Sequence, residues 1–362
     1  MSTHVQSRGG RQRRILVSGA SIAGPTLAYW LNRYGFDVTV VERAAATRNG
    51  GYAIDIRGTA LDVIEKMGLS AQVRSAHIAS RGLTFVDAQG KSIGSVPIYD
   101  LTSNDPGQDV EIPRGKLTDM LYGLTRDTQV RYRFGDSIEE MNDDGRMVNV
   151  RFNSGDAEQF DAVIGADGLH SNTRRLVFGP EQDYSHYLGF TFNIFSMPND
   201  LSLCQEAVIY AEPGRIAGAF AVRGQPELFC FLVFATDTPP FGAHPDKAAQ
   251  IARTVDAFSN GGWQVPRMID AMKRRRIFGS IPSARFACRP GRRAALRSSG
   301  TPPSPRRSAR ARAPAWRWPA PTCWPGNWQR TLIRRTRLLL TSGSSGLTWR
   351  PTRHWCRAMP PT

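Results

Sequence analysis

Gly19 and Gly24, five residues apart, and Glu42, 18 residues beyond Gly24, are the side chains whose types and spacing most directly suggest chemistry. A glycine after a short apolar run permits a sharp turn, and a second glycine lets a helix approach a strand closely. The helix that follows points its unpaired N–H groups back at the turn, where a pyrophosphate is the matching ligand. Glu42 is positioned to accept hydrogen bonds from a ribose hydroxyl. The middle glycine of the usual fingerprint is Ser21 here, so a hydroxymethyl group stands where backbone and phosphate would approach each other.

Such residues need elements to hold them. Residues 14–18 are a short apolar run ending at the turn, and a helical pattern follows through Leu27, Ala28, Leu31 and Tyr34. Residues 36–41 are a second, β-branched run that ends in Glu42 and Arg43. Strand, tight turn, helix, strand and acid is the order a βαβ dinucleotide site requires. Further on, residues 160–165 predict a buried strand leading into Ala166, Asp167 and Gly168, with Ser171 and Arg174 beyond. Taken alone, Asp167 and Gly168 read as a turn with glycine at positive φ.

The order of these motifs, with Glu111, Ile112, Pro113 and Arg114 opening a helix between them, is similar to the flavin-dependent aromatic hydroxylases. These are the single-component monooxygenases of the para-hydroxybenzoate hydroxylase type, and the branch it most resembles includes the tetracycline-inactivating monooxygenases. The resemblance covers roughly residues 14–281. It implies an α/β fold: a Rossmann-like domain binding FAD and NAD(P), with an inserted, mainly-β substrate domain. FAD is then the cofactor, NADPH or NADH the reductant, and an aromatic or polyketide-like small molecule the substrate. By the same resemblance, Gly19, Ser21 and Gly24 face the FAD diphosphate, and Glu42, with Arg43 beside it, binds the adenosine ribose. Arg114 lies near the pyrophosphate or ribityl chain, and Asp167 and Gly168 serve the flavin and, through it, the nicotinamide. Asp55 occupies the segment that passes the isoalloxazine in this family; the alternative for it is a strand-edge carboxylate. No catalytic side chain is assigned, because the flavin supplies the electrophilic oxygen while the protein positions substrate and excludes water. A non-oxygenating flavin oxidoreductase on the same scaffold is the enzymatic alternative.

On this reading residues 14–80 and 111–180 form a discontinuous cofactor domain, residues 81–110 and 181–281 the substrate domain, and residues 1–13 a flexible N-terminus. Residues 81–100 alternate as strands do (Leu83, Phe85, Ile93, Val96, Ile98), residues 186–235 hold several more strands, and helical stretches follow near 246–259 and 265–273. Phe190, Phe192, Phe195, Phe220, Phe229, Phe231 and Phe234 are expected mostly in the core, with a minority lining a pocket for a flat apolar substrate. His4, His77, His170, His186, His244 and His354 show no metal-ligand spacing and no Ser-His-Asp arrangement. Cys204, Cys230, Cys288, Cys323 and Cys356 contain no Cys-x-x-Cys pair and read as free thiols of a cytoplasmic protein. The N-terminal stretch is polar and basic, and no apolar run reaches the roughly 18 residues of a membrane span.

Residues 289–362 hold 16 arginines and no Lys, Asp or Glu, which equals the formal excess of +16 for the whole chain and leaves residues 1–288 neutral. Six of the eight tryptophans and 11 of the 24 prolines also fall there. Arginine grips phosphate and tryptophan stacks on bases, so the tail by itself points to nucleic acid. The genetic code gives another reading. The frame starting one base earlier permits, across residues 294–303, Arg-Ala-Ala-Leu-Val-Gly-Asp-Ala-Ala, which supplies the second Gly-Asp motif that the family resemblance implies. Across residues 311–329 the same frame permits Gly-Gln-Gly-Thr-Ser-Leu-Ala-Leu-Ala-Gly-Ala-Tyr-Val-Leu-Ala-Gly-Glu-Leu-Ala, a glycine loop and an amphipathic helix. A frameshift near codons 281–283 is therefore expected, with residues 282–362 an aberrant Arg/Pro/Trp-rich tail that stays disordered. The expected consequences are weak or absent flavin binding and no specific nucleic-acid partner.

Overall fold

The computed structural model of the chain describes residues 11–47, 53–97, 109–222, 224–237 and 247–274, and residues 279–286 as backbone. In chain order its elements begin with β1 (Arg14–Ser18), α1 (Ala23–Arg33), β2 (Asp37–Glu42), β3 (Ala53–Ile56), α2 (Thr59–Lys66), α3 (Ser70–Ser75), β4 (Gly82–Val86), β5 (Ser92–Pro97), β6 (Val110–Pro113) and α4 (Arg114–Gly123). There follow β7 (Arg131–Phe134), β8 (Ile138–Asp143), β9 (Val148–Phe152), β10 (Ala157–Phe160), β11 (Ala162–Gly165), α5 (Asn172–Phe178) and β12 (Ser185–Pro198). The series ends with β13 (Glu206–Glu212), β14 (Arg215–Ala221), β15 (Glu227–Ala235), α6 (Lys247–Ala257), α7 (Val265–Arg274) and β16 (Gly279–Phe286).

A parallel sheet of order β11-β1-β2-β7 carries the N-terminal βαβ unit. Its central strand needs apolar residues on both faces, and Ile15, Leu16 and Val17 are each 0% exposed. Ile15 and Val17 pack with Val38 and Val40 against Leu27, Ala28 and Leu31 of α1. On the opposite face Leu16 and Val41 meet Ile138, Val150, Phe152 and Phe160 of an antiparallel meander, β10-β9-β8. Tyr34, expected on the apolar stripe of α1, is instead 70% exposed, because the helix ends at Arg33 and the residue falls on the turn.

The single buried strand expected over 160–165 is two strands. The chain changes sheets at Asp161, where the Asp161 N–H donates to the Arg14 carbonyl at 2.8 Å and its carboxylate accepts from the Arg14 N–H at 2.7 Å. β10 stays in the meander, while β11 joins the parallel sheet beside β1. Among the described residues β11 is the edge of that sheet, and Ala162, Val163 and Ile164 are only half-buried.

The second large sheet is mixed, with seven strands in the order β16-β12-β15-β14-β13-β4-β5. One face packs Phe195, Met197, Leu228, Cys230, Leu232 and Phe234 against Phe258, Val265, Met268 and Met272 from the α6–α7 region. The backbone of β16 runs on to Phe286, past the boundary expected at residue 281, paired antiparallel with β12. The smallest sheet is the antiparallel ribbon β3-β6, which feeds directly into α4 and places β6 one residue ahead of the boundary expected at 111. Residues 1–10, 48–52, Ile98, His244, His354 and the whole run 287–362 lie outside the described residues, as do the calculated frame's Gly-Asp, loop and helix.

Candidate functional site

The turn between β1 and α1 is built by glycine geometry. Gly19 has φ +107°, and a Cβ there would stand 2.5 Å from the Ala166 carbonyl oxygen. A Cβ at Gly24 would fall 1.8 Å from the Gly19 carbonyl oxygen, so the helix can start at this distance from the strand only without a side chain. The Gly19 N–H donates to the Val41 carbonyl at 2.7 Å, tying the turn to the end of β2. α1 begins at Ala23 with no side-chain cap and no acidic residue in its first turn. Its positive end and uncapped donors are the features an anion would satisfy.

Glu42 ends β2 against this turn. Its carboxylate accepts the Ala20 N–H at 2.9 Å and the Ala44 N–H at 3.0 Å, which fixes its direction at the strand end. Arg114, the first residue of α4, donates from Nη2 to the Ser21 hydroxyl at 2.9 Å. Ile22 is buried with Leu117 and Leu121, so the apolar side of the turn docks on α4 and brings Arg114 to Ser21. Arg43, next along from Glu42, is exposed.

Asp167 and Gly168 lie on the other side of Gly19. Asp167 accepts from the Thr173 N–H at 2.8 Å, the Thr173 hydroxyl at 2.9 Å and the Ser18 hydroxyl at 3.3 Å, and also from the Ser171 hydroxyl. Ser171 in turn caps α5 by accepting the Arg174 N–H at 3.0 Å. The carboxylate therefore stitches the ends of β1 and β11 to the start of α5. Gly168 follows at φ +83°, as the turn reading required.

Asp55 is on the β3-β6 ribbon, directly across from Glu111. Arg57 bridges it at 2.9 Å and reaches Asp109 at 3.3 Å. Burial raises the Asp55 carboxyl above its ordinary range, with Arg57 pulling the other way. Glu111 is raised for the same cause, although the Ser80 hydroxyl donates to it at 2.7 Å. His77 rests on the Glu111 backbone through Nδ1 at 3.0 Å. Sequence reasoning quoted Glu111 within a motif but assigned it no role, and it missed Arg57, His77, Ser80 and Asp109. The antiparallel match of residues 53–56 with 110–113 was the signal that could have joined them.

Gly19, Ser21, Gly24, Glu42 and Arg114 thus converge on one turn, with Asp167 and Gly168 packed beside it; Asp55 and Arg43 have no described contact with it. The set fits a dinucleotide: a backbone cradle a Cβ would fill, a helix start without its own anion, a cation over it, and a carboxylate fixed at the strand end.

The mixed sheet corrects a further expectation. Only Phe195 and Phe234 of the seven phenylalanines lie in its core. Cross-strand register puts Phe192, Phe220, Phe229 and Phe231 on the opposite face, half-buried, with Phe190 48% exposed. Strand alternation divides them, since neighbours two apart share a face and Phe234 is out of phase with Phe229 and Phe231. On that face Phe192 stacks on Phe231 at 5.6 Å and Phe220 on Phe229 at 5.2 Å. Gly218 leaves the room that the Phe231 ring fills. Of the cysteines, Cys204 and Cys230 are free thiols among the described residues, the second buried with its pKa pushed up to about 12. No described helix is long and apolar enough to cross a membrane, and no group of three metal-binding side chains occurs among the described residues.

Comparison with known proteins agrees with this geometry. Residues 12–253 match the FAD-binding domain family. An uncharacterized protein of Mycobacterium tuberculosis is 41% identical over 266 residues, covering 72% of this chain and 70% of its own. A flavin-dependent monooxygenase of an unknown prokaryotic organism is 35% identical over 260 residues, 72% of this chain and 66% of that one. The FAD-dependent monooxygenase asL4 of Sarocladium schorii is 31% identical, with 73% and 63% covered. Among solved structures, tetracycline destructase Tet(51) superposes with a TM-score of 0.68 at 31% identity over 77% of this chain and 71% of its own. Tet(55) does so with 0.68 at 33%, over 76% and 70%.

Proposed function

Because the chain belongs to the FAD-binding domain family of flavin-dependent monooxygenases, we propose that its ancestral activity is the NAD(P)H-dependent hydroxylation of a flat, apolar small molecule of aromatic or polyketide type. The observation that carries this reading is the turn itself: Gly19, Gly24, Glu42 and Arg114 meet at the start of α1 within a chain matched to the FAD family over residues 12–253.

FAD, when bound, supplies electron transfer from NADPH or NADH and activation of oxygen. The chain's own residues do the rest. The uncapped start of α1 and the Arg114 guanidinium hold the diphosphate, while Glu42 accepts from the adenosine ribose. Asp167 keeps Gly168 and the start of α5 against the Gly19 turn, and the Asp55 ribbon would border the ring system. The stacked face of Phe192, Phe231, Phe220 and Phe229 supports the reading of a planar substrate, which aromatic rings recognise by stacking and which such a face shields from water. The tetracycline destructases among the similar solved structures support the same substrate class.

We further infer that residues 282–362 are read out of frame, so that this chain retains the adenylate half of the site and holds FAD weakly. Two observations support it. More than a quarter of this chain and of its relatives falls outside their alignments. β11 also has no described strand on its outer edge, and its apolar residues are half-buried. The division into a discontinuous cofactor domain and a substrate domain follows the two large sheets. A cytoplasmic location and the absence of a specific nucleic-acid partner complete the reading.

The test is FAD-dependent NADPH or NADH oxidation by the chain with its frame restored, with labelled O₂ and candidate planar substrates. Label in the product is expected. Turnover of reductant with no labelled product, in the presence of any planar substrate that binds, would favour a non-oxygenating oxidoreductase.

A further inference from the structure

We propose that Ser21, at the position where the dinucleotide fingerprint has glycine, is the positioning residue for Arg114, and that the pair places a guanidinium on the diphosphate of the cofactor. The proposal rests on the FAD reading of the turn and deepens it.

Three features of the structure lead there. First, Arg114 is at the wrong end of its helix for a structural cation. It is the first residue of α4, and the first turn of that helix has no acidic side chain. The positive end of the helix dipole disfavours a cation at this position. Half-buried arginines elsewhere among the described residues have carboxylates: Arg14 has Glu158 and Asp37, Arg133 has Asp136 and Glu158, and Arg215 has Glu212. Among the described residues no carboxylate lies within ion-pair distance of Arg114, and its hydrogen bond is to Ser21. A half-buried guanidinium held this way has its counter-charge still to come.

Second, Ser21 is spent on Arg114 and not on the helix beside it. A serine just ahead of a helix ordinarily accepts one of its free N–H groups. The N-cap of α1 is Ile22, and the helix start has no side-chain cap. The hydroxyl accepts from Arg114 Nη2 at 2.9 Å instead, across 93 residues of sequence. The start of α1 stays open to a ligand as a result.

Third, the substitution exchanges one means of binding phosphate for another. Glycine at position 21 would let the backbone come closest to the ligand, whereas serine takes some of that space and provides an anchor. An arginine has substantial rotamer entropy to lose on binding, and anchoring it beforehand reduces that loss. The fork of the guanidinium then presents paired donors to phosphate oxygens.

The experiment is a double-mutant cycle on the full chain: the parent, Ser21→Ala, Arg114→Ala and the double variant, each titrated with FAD by flavin fluorescence and with ADP by calorimetry. Melting temperatures of the ligand-free proteins report folding. Ser21→Ala is expected to weaken both ligands roughly tenfold in the parent and to have no further effect once Arg114 is alanine. Ser21→Thr, which keeps the hydroxyl, is expected to retain affinity. An equal loss from Ser21→Ala in both backgrounds, or tighter binding by Ser21→Gly than by the parent, overturns the positioning role while leaving the FAD reading intact. Failure of the parent to bind either FAD or ADP overturns both.

Discussion

The parallel sheet and the seven-stranded mixed sheet make sites in different ways. In the first, the groups that matter come from the ends of β1, β2 and β11, and backbone sterics fix them: Gly19 and Gly24 are the residues without which strand and helix could not approach. In the second, they come from the middle of strands, and register fixes them, because Phe231 and Phe234 differ only in which face they meet. A site made of turns tolerates change in its surroundings but not in its glycines. A face made by register is the reverse: its single positions give way, while the pairing holds.

The largest expected effect separates the two faces of the mixed sheet. Phe234, buried and edge-on to Phe258 at 6.3 Å, should lose about 3–5 kcal/mol of stability as alanine in urea denaturation. Phe231→Ala, on the half-buried face, should lose less than half of that and should reduce binding of a planar apolar dye, which Phe234→Ala leaves to the folded fraction. Equal losses would mean that the aromatic face is closed in solution. Next comes the contrast of glycines. Gly24→Ala drives a Cβ into backbone and should destabilise the chain by about 3 kcal/mol and abolish ADP binding. Gly218→Ala meets only the far end of the Phe231 ring, which can swing, and should cost about 1 kcal/mol with ADP binding intact. ADP binding by Gly24→Ala would remove the basis for calling the turn the site.

The smallest effect concerns pH. Burial raises both Asp55 and Glu111. A carboxyl whose folded pKa lies above its unfolded value favours folding below the unfolded value and loses that contribution as pH rises through the folded one. The melting temperature of Glu111→Gln should therefore gain on the parent as pH rises above the ordinary glutamate value of about 4.3 and through the raised folded one. A constant difference across that range would show that Glu111 does not titrate with folding.

What could be read in advance follows the same division. The turn, the place of Glu42 at the strand end and the Gly168 conformation were legible because each depends on local spacing or on one residue type, whereas Arg114 was singled out only by the family resemblance. The contact of Arg114 with Ser21 was not legible, because 93 residues separate them and only the docking of Ile22 on Leu117 and Leu121 brings them together. The split at Asp161 was missed because an apolar run records burial and not which sheet supplies it. The phenylalanines were assigned together to the core because composition carries no phase; the alternation of Leu228, Cys230, Leu232 and Phe234 against Phe229, Phe231 and Val233 decides their faces. The Asp55 cluster needed a pairing of distant strands, which no single window of sequence contains.

The most direct measurement is equilibrium titration of FAD into this chain beside the same chain with its reading frame restored from codon 282 onward. The restored chain should bind FAD stoichiometrically and at least about a hundredfold more tightly, about 2.7 kcal/mol, while ADP binds the two within a few-fold. Stoichiometric FAD in the chain as it stands, with NADPH oxidation, would contradict the division of the site into a retained adenylate half and a lost flavin half.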